Sequence, residues 1–454
     1  MEYVIVNERD NVKISLESGH KYALRDIRAG EPVIRYGFPI GIASADIRTG
    51  EHVHCHNLTT GLTGREAYVY SPERIQMPSG DGGVCIQAYP RENGDIGIRN
   101  DIWIIPTVGC VNGAAREIAK RTGAFALEHP YGCSQLGDDY ETTAKTLGGL
   151  IRHPNAGGVL VLGLGCENNR IEHLKRRVGA YDGRRVRFLN AQDCCDEIAE
   201  GEKIVRELIS ITVNDRRVPV PAEKLKLGLK CGGSDGLSGI TANPLVGKIT
   251  DRIVALGGIA VLTEVPEMFG AERILMNRCV SRDVFDKTVE LINRWKDYYL
   301  SHGQPVSENP SPGNRDGGIT TLEEKSLGCV QKGGSAPVTD VLSCGVAAKT
   351  PGLNLLSGPG NDIVAVTELT AAGCHLILFT TGRGTPLGAP VPTLKISTNT
   401  QLAQRKSGWI DFDAFTGDEN GLFDLMLETA SGRPTKNEMN GYREIAIFKN
   451  GVTL

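Results

Sequence analysis

From about residue 100 onward the chain repeats one phrase: a short apolar run, a glycine turn, then an amphipathic helix. DIWIIPTV leads into NGAAREIAKRTG, GGVLVLGL into ENNRIEHLKRRVG, and KLKLGLK into GITANPLVGKITDRIVALGG. IAVLTEV, HLILFTT and TLKIST follow. Runs that are apolar at nearly every position suit strands buried on both faces, which parallel sheets covered by helices provide. The beginning of the chain has a different rhythm. YVIV, NVKI, HKYALRDI, EPVIRYG, PIGIASADI and EHVHCHNL are short alternating segments broken by Gly, Asn and Asp, the pattern of a small all-β module of hairpins. The expected fold class is therefore α/β, with an N-terminal small all-β module and two α/β domains with largely parallel sheets, the last Rossmann-like. The expected divisions are 1–72 for the module, 73–94 for a linker, 95–220 for the first α/β domain and 221–454 for the second. The linker is read from the Pro/Gly-rich SPERIQMPSGDGG, and the second break from NDRRVPVPAEK. The polar, proline-rich SHGQPVSENPSPGNRDGG at 301–318 reads as a long loop without regular structure.

The 454 residues carry a net charge of -4, which argues against sequence-independent nucleic-acid binding but leaves a small anionic substrate open. No apolar stretch approaches the ~18 residues of a membrane span. The charged start MEYVIVNERD lacks the apolar core of a signal peptide. The 12 cysteines are too sparse for a disulfide scaffold, so reduced thiols and a cytoplasmic location are expected. Glycine, at 56 residues, is the compositional outlier and implies many tight loops held on strands.

Seven of those cysteines, Cys110, Cys133, Cys166, Cys231, Cys329, Cys344 and Cys374, stand next to a glycine. Cys110, Cys166 and Cys231 directly follow strand-like runs. Glycine there lets the backbone turn sharply, and a thiol at a parallel strand's carboxyl end suits a soft-metal or iron site. Cys133 joins them through His129, four residues earlier. Cys329, Cys344 and Cys374 read as packing residues, as do the adjacent Cys194 and Cys195. His52, His54 and His56, spaced by two, would share one face of a strand, where they could bind a metal or face a carboxylate. Arg383, in TGRGTP after a strand, is placed to grip a carboxylate. Residues 232–236 match G-x-S-x-G around Ser234, which admits a serine hydrolase with His302 or His375 completing a triad. Gly163-x-Gly165 has Asn168 where a dinucleotide fingerprint needs its third glycine. A non-catalytic sugar-acid binder is a third class, for which loop cysteines and histidines are superfluous.

The stretches GDIGIRNDIWIIPTVGCVNGAA, HPYGCSQLGDD, GLGCEN, LKCGGSDGLSGITANPLVG, SPGNRDGGITTLEEKSLGC and TGRGTPLGAPVPTLKISTN together resemble the altronate/galactarate dehydratase family, of which sulfolactate sulfo-lyase is a relative. The module with HVHCHN resembles its SAF (β-clip) domain. One departure is Arg315, where the family pattern suggests lysine. The resemblance implies dehydration of an aldonic or aldaric acid to a 2-keto-3-deoxy acid, or, in the alternative, sulfite elimination. It implies Fe2+ as cofactor, with Mn2+ or an iron–sulfur cluster as variants, and a homodimer acting on a small anionic sugar acid. The implied metal set is Cys110, His129, Cys133, Cys166 and Cys231. His54, His56 and Glu167 are the implied catalytic groups, and Arg99, Arg383, Asn314 and Ser234 the implied substrate contacts. Such chemistry requires an enediolate to be stabilised as the C2 proton leaves, and a donor to assist departure of the C3 hydroxyl.

Overall fold

In a computed structural model, residues 2–451 are described except 74, 76–79 and 81. Seven short strands build the N-terminal module: β1 (Tyr3–Val4), β2 (Val12–Ser15), β3 (Lys21–Ala23), β4 (Pro32–Arg35), β5 (Phe38–Ala43), β6 (His52–Val53) and β7 (Leu58–Thr59). They form two antiparallel sheets, ordered β1-β2-β3-β6 and β4-β5-β7. Alternation buries Val12, Ile14, Val33, Ile40 and Val53 between them.

The predicted linker falls partly outside the described residues, and its later part contains a strand, β8 (Cys85–Pro90). Together with β9 (Ile96–Gly97) and β14 (Val218–Pro221) it makes a small antiparallel sheet. Proline and glycine obscured this strand, yet CIQAYP alternates exposed and buried residues as a half-buried strand does.

The first α/β unit has four parallel strands in the order β11-β10-β12-β13: β10 (Asp101–Pro106), β11 (Phe125–Ala126), β12 (Ala156–Gly163) and β13 (Val186–Asn190). Four helices follow these strands in turn: α1 (Asn112–Thr122), α2 (Gly137–Ile151), α3 (Ile171–Val178) and α4 (Glu197–Thr212). The second unit has seven parallel strands: β15 (Lys226–Cys231), β16 (Ile259–Leu262), β17 (Val338–Leu342), β18 (Gly352–Leu356), β19 (Leu376–Thr381), β20 (Thr393–Ser397) and β21 (Phe412–Asp413). Their order is β17-β18-β16-β15-β19-β20-β21. The two units share apolar packing: Trp103, Leu147 and Ile151 of the first meet Val366, Leu369 and Phe379 of the second in one buried cluster.

The stretch at 301–318, expected to be irregular, includes a short helix, Pro312–Asp316. Proline at its first position has no amide to lose, and Ser311 and Asn314 cap it reciprocally. Among the described residues no helix is long and apolar enough to cross a membrane.

Candidate active site

In an open parallel sheet, ligands sit where the strand order reverses, because neighbouring loops there diverge and leave a crevice. In the seven-stranded sheet that point lies between β15 and β19. The loops after them are pinned together, the Gly382 and Arg383 amides both donating to the Gly233 carbonyl at 3.1 and 2.9 Å. A cleft of about 460 Å³ opens there, lined by Asp235, Asp316, Gly382, Arg383, Asn399 and Arg405, with Leu16–Ser18 of the module as one wall. Among the described residues neither Arg383 nor Arg405 has a side-chain hydrogen bond or ion pair. Two unpaired guanidinium groups in one cleft are suited to an anion with more than one oxygen to satisfy. Asp235 on the cleft wall is buried, and desolvation raises its carboxyl above the ordinary range despite donors from Thr398 and Ser238. A larger cavity of about 640 Å³ lies between α2 and helix Arg282–Ser301. Its walls carry Asp138, Asp139, Glu141, Glu290, Asp297 and Glu368 against Lys145, Lys287 and Arg294, and neither the loop after β15 nor that after β19 lines it.

The module reaches the cleft rim through its 16–19 turn. A Cβ on Gly236 would lie 1.9 Å from the Gly19 carbonyl oxygen, so only glycine allows this approach. Behind the turn, the buried Lys21 ammonium donates to Thr320 Oγ1 (2.6 Å), Glu324 Oε2 (2.8 Å) and the Gly318 carbonyl (3.0 Å). Arg35 Nη1 donates to the other oxygen of Glu324 at 2.6 Å. Burial opposes the Glu324 charge, but the two cations hold its carboxyl below the ordinary range. Removing one partner of such a buried group costs about 3–5 kcal/mol, so this contact fixes the module firmly.

Above this anchor the imidazoles gather, by a route the sequence did not reveal. The strand ends at Val53, and His54–Asn57 form a turn in which His54 N–H donates to Asn57 Oδ1 at 2.9 Å. The rings still cluster: His52 stands 5.5 Å from His54 and 5.7 Å from His56, between centroids. His20, from the preceding hairpin, joins them with Nδ1 3.0 Å from His52 Nε2. His54 Nδ1 pairs with Thr320 Oγ1 at 2.7 Å. Partial burial, with Lys21, His20 and His52 nearby, lowers the His54 pKa to about 4. At neutral pH this ring is uncharged and available as a base.

Cys231 ends β15 inside a closed ionic cluster rather than beside Cys110, Cys133 and Cys166. Its Sγ lies 3.3 Å from Cys329 Sγ and 3.4 Å from Glu267, and Lys332 Nζ donates to it at 2.8 Å. Cys329, expected to be mere packing, thus belongs to this cluster, on the same helix face as Lys325 four residues earlier. Lys325 pairs with Glu267 at 2.9 Å, and Glu264 receives both Lys230 and Lys332. Glu264 adopts a left-handed conformation (φ 67°), strain that this double clamp supports. Cys231, Glu267 and Cys329 have ligand atoms within 4.8 Å of one another, the one such trio among the described residues. Three buried ammonium groups at the same spot disfavour a further cation, so these residues do not fit a metal.

Cys110, Cys133 and Cys166 are all exposed at the carboxyl edge of the four-stranded sheet. His129 is adjacent in sequence but not available to a metal. Its buried ring puts Nε2 2.8 Å from the Pro106 carbonyl, and Nδ1 accepts from Tyr131 N–H. Glu167 is likewise occupied: its carboxylate is buried and takes the Thr107 hydroxyl and the Leu164 and Gly165 amides. Arg99 binds Glu438 through Nε and Nη2 (2.7 and 2.9 Å) and the Ile98, Thr429 and Arg433 carbonyls, leaving nothing for substrate. Asn314 Nδ2 donates to the Ser234 carbonyl, and its Oδ1 accepts from Ser311 and Lys325, so the two residues position the loop. No triad forms at Ser234. His302 bonds the Tyr298 carbonyl, and His375 accepts from Lys226 at the opposite end of β15.

Comparison with known proteins agrees along the chain. Residues 2–61 match the family described as altronate/galactarate dehydratase SAF domain, and 88–212 that described as D-galactarate dehydratase/altronate hydrolase, second domain. Residues 222–453 match D-galactarate/altronate dehydratase, C-terminal. An altronate dehydratase of Escherichia coli (strain K12) is 51% identical over 100% of this chain and 95% of its own length. The galactarate dehydratase (L-threo-forming) of the same strain is 32% identical over 95% of this chain and 90% of its own. A (2R)-sulfolactate sulfo-lyase subunit beta of Chromohalobacter salexigens is 32% identical over 81% of this chain and 98% of its own.

Proposed function

The chain belongs to the altronate/galactarate dehydratase family and is a hydro-lyase acting on a sugar acid; from that premise we propose that its substrate is altronate, converted to the 2-keto-3-deoxy acid. The observation that carries this reading is the cleft at the β15/β19 switch point, with two unpaired arginines in its wall. Arg383 and Arg405 hold the carboxylate. His54, kept uncharged and oriented by Thr320, takes the C2 proton. The buried Asp235 carboxyl accepts from Leu237, Ser238, Thr398 and Asn399 and holds the cleft loops in place. Identity to an altronate dehydratase over the whole length favours altronate over galactarate or sulfolactate, whose enzymes are more distant relatives.

Fe2+ belongs to the same reading. The exposed Cys110, Cys133 and Cys166 thiols fit iron better than Mn2+, which prefers carboxylate and water oxygens. When bound, such a metal supplies Lewis acidity toward the hydroxy-acid oxygens. A cytoplasmic homodimer completes the proposal, and light scattering of the purified protein reads its mass directly.

The test is an anaerobic assay with added Fe(II) on altronate, galactarate and sulfolactate, scored for 2-keto acid and sulfite. Altronate is expected to turn over fastest, with no sulfite released. Faster sulfite release from sulfolactate, or turnover of none of the three, overturns the reading. Arg383→Gln is expected to raise KM about tenfold or more, the worth of one lost charged hydrogen bond.

A further inference from the structure

The proposed reaction uses neither sulfur of the buried pair Cys231 and Cys329, yet their surroundings are unlike those of the other buried cysteines. Cys279 rests against Thr288 Oγ1 and the Leu275 carbonyl, and burial raises its thiol. Cys374 is fully buried, and burial pushes its thiol up to about 12. A thiol in such a place is an inert small hydrophobe. Cys231 and Cys329 instead make the one sulfur–sulfur hydrogen bond among the described residues, at 3.3 Å.

The two sulfurs of the pair differ in charge. Lys332 Nζ donates to Cys231 Sγ at 2.8 Å, and an ammonium so placed favours a thiolate there. Burial opposes the Lys332 charge, but Cys231 and Glu264 hold its ammonium well above the ordinary range. Cys329 Sγ donates to Glu267 Oε2 at 3.1 Å. Its hydrogen bond with Cys231, followed by burial, holds the Cys329 thiol well above the ordinary value, so it keeps its proton. Glu264 and Glu267 oppose a negative sulfur, and Lys230, Lys325 and Lys332 offset them.

A thiolate touching a protonated thiol is the arrangement a redox dithiol needs, since the first attacks an oxidant and the second resolves the product. Cys231 is the last residue of β15 and Cys329 the last of helix Leu322–Cys329, so neither is locked within the interior of its element. Bonding distance is about 2.05 Å, a closure of little more than about 1 Å. A cavity of about 10 Å³ touches Cys329, room for about one water molecule. Asp235 stands in its wall and also in that of the open cleft. Such a route suits a small uncharged oxidant and excludes a bulky disulfide.

We propose that Cys231 and Cys329 are a modification site for hydrogen peroxide, which closes them to a disulfide that a thiol reductant reopens. The Cys231 thiolate attacks one peroxide oxygen; an S–O bond forms, the O–O bond breaks and hydroxide leaves with the electron pair. Cys329 sulfur then attacks the resulting sulfenic sulfur. The S–S bond forms, the S–O bond breaks, and the Cys329 proton leaves with that oxygen as water. Both sulfurs are oxidised and both peroxide oxygens reduced.

The experiment treats native full-length protein with hydrogen peroxide, unfolds it in an alkylating agent and maps the peptides by mass spectrometry. Free Cys231 and Cys329 are expected to fall severalfold together, replaced by one linked peptide that dithiothreitol abolishes. Cys279 and Cys374 are expected to stay free throughout. In Cys329→Ser the link is lost and dimedone captures a sulfenic acid at Cys231. Cys231 and Cys329 alkylated as fully as Cys279 and Cys374 overturn the proposal. So does an oxygen bridge from Cys231 to Lys332 Nζ in place of the disulfide. A Cys329→Ser protein with unchanged circular dichroism and no dimedone adduct at Cys231 overturns it as well.

Discussion

Two strand–cysteine–glycine signatures in this chain lead to opposite environments. At the carboxyl edge of the seven-stranded sheet, Cys231 is buried beneath Lys332 and beside Cys329. At the same edge of the four-stranded sheet, Cys110 and Cys166 face solvent. The local sequence is nearly the same. What differs is the cover: helix Leu322–Cys329 and the turn after it close over β15 and bring lysines with them, whereas nothing comparable lies over β10 and β12 among the described residues. A thiol in the first setting is a member of a charge network. In the second it is a thiol open to solvent.

The largest effect that would test this contrast is on stability. Lys332→Met leaves Cys231 without its buried ammonium donor and Glu264 with Lys230 alone, and is expected to cost about 1–3 kcal/mol in chemical denaturation. Cys110→Ser should cost no more than about 0.5 kcal/mol, as an exposed substitution. Equal costs would erase the distinction between the two edges. A smaller effect concerns the sulfur donors. Gln192→Leu removes the N–H directed at Cys166 and is expected to weaken iron retention about tenfold against a chelator, leaving the denaturation midpoint in place.

The smallest expected effect concerns the module over the cleft. His54 has a folded pKa of about 4 against an ordinary 6.5. Between those values the unfolded chain binds a proton that the folded one refuses, so this group makes stability fall as pH drops from 6.5 toward 4, with no further loss below. His54→Gln should show a shallower decline across that window in thermal melts. In the wild type, the acid limb of kcat/KM should sit nearer 4 than 6.5. An acid limb at 6.5 would remove His54 as the base.

The architecture was readable because it follows from local periodicities. Fully apolar runs marked the parallel strands, and alternation marked the module. Site residues were readable only as to type. Arg383 lines the cleft because a glycine loop after a strand end is exposed wherever that strand lies. His129, Glu167 and Arg99 have equally suggestive neighbours in sequence, but their polar atoms are taken up by Pro106, Thr107 and Glu438. Arg405 carried no motif at all, and Thr320 lay inside a matched stretch, SPGNRDGGITTLEEKSLGC, without being singled out. Asp235 lay within the G-x-S-x-G match, but that motif drew attention to Ser234 instead.

The sequence by itself determined the order of strands and helices, the placing of cysteine at strand ends, and the family to which the chain belongs. It did so because these depend on residues close together along the chain. Tertiary structure decided which thiols are covered by lysine and which are free, and which histidines meet. Lys332 reaches Cys231 across 101 residues, and Lys21 reaches Glu324 across 303. Charge and solvation at a side chain depend on whatever the fold packs against it, and those partners come from distant parts of the chain.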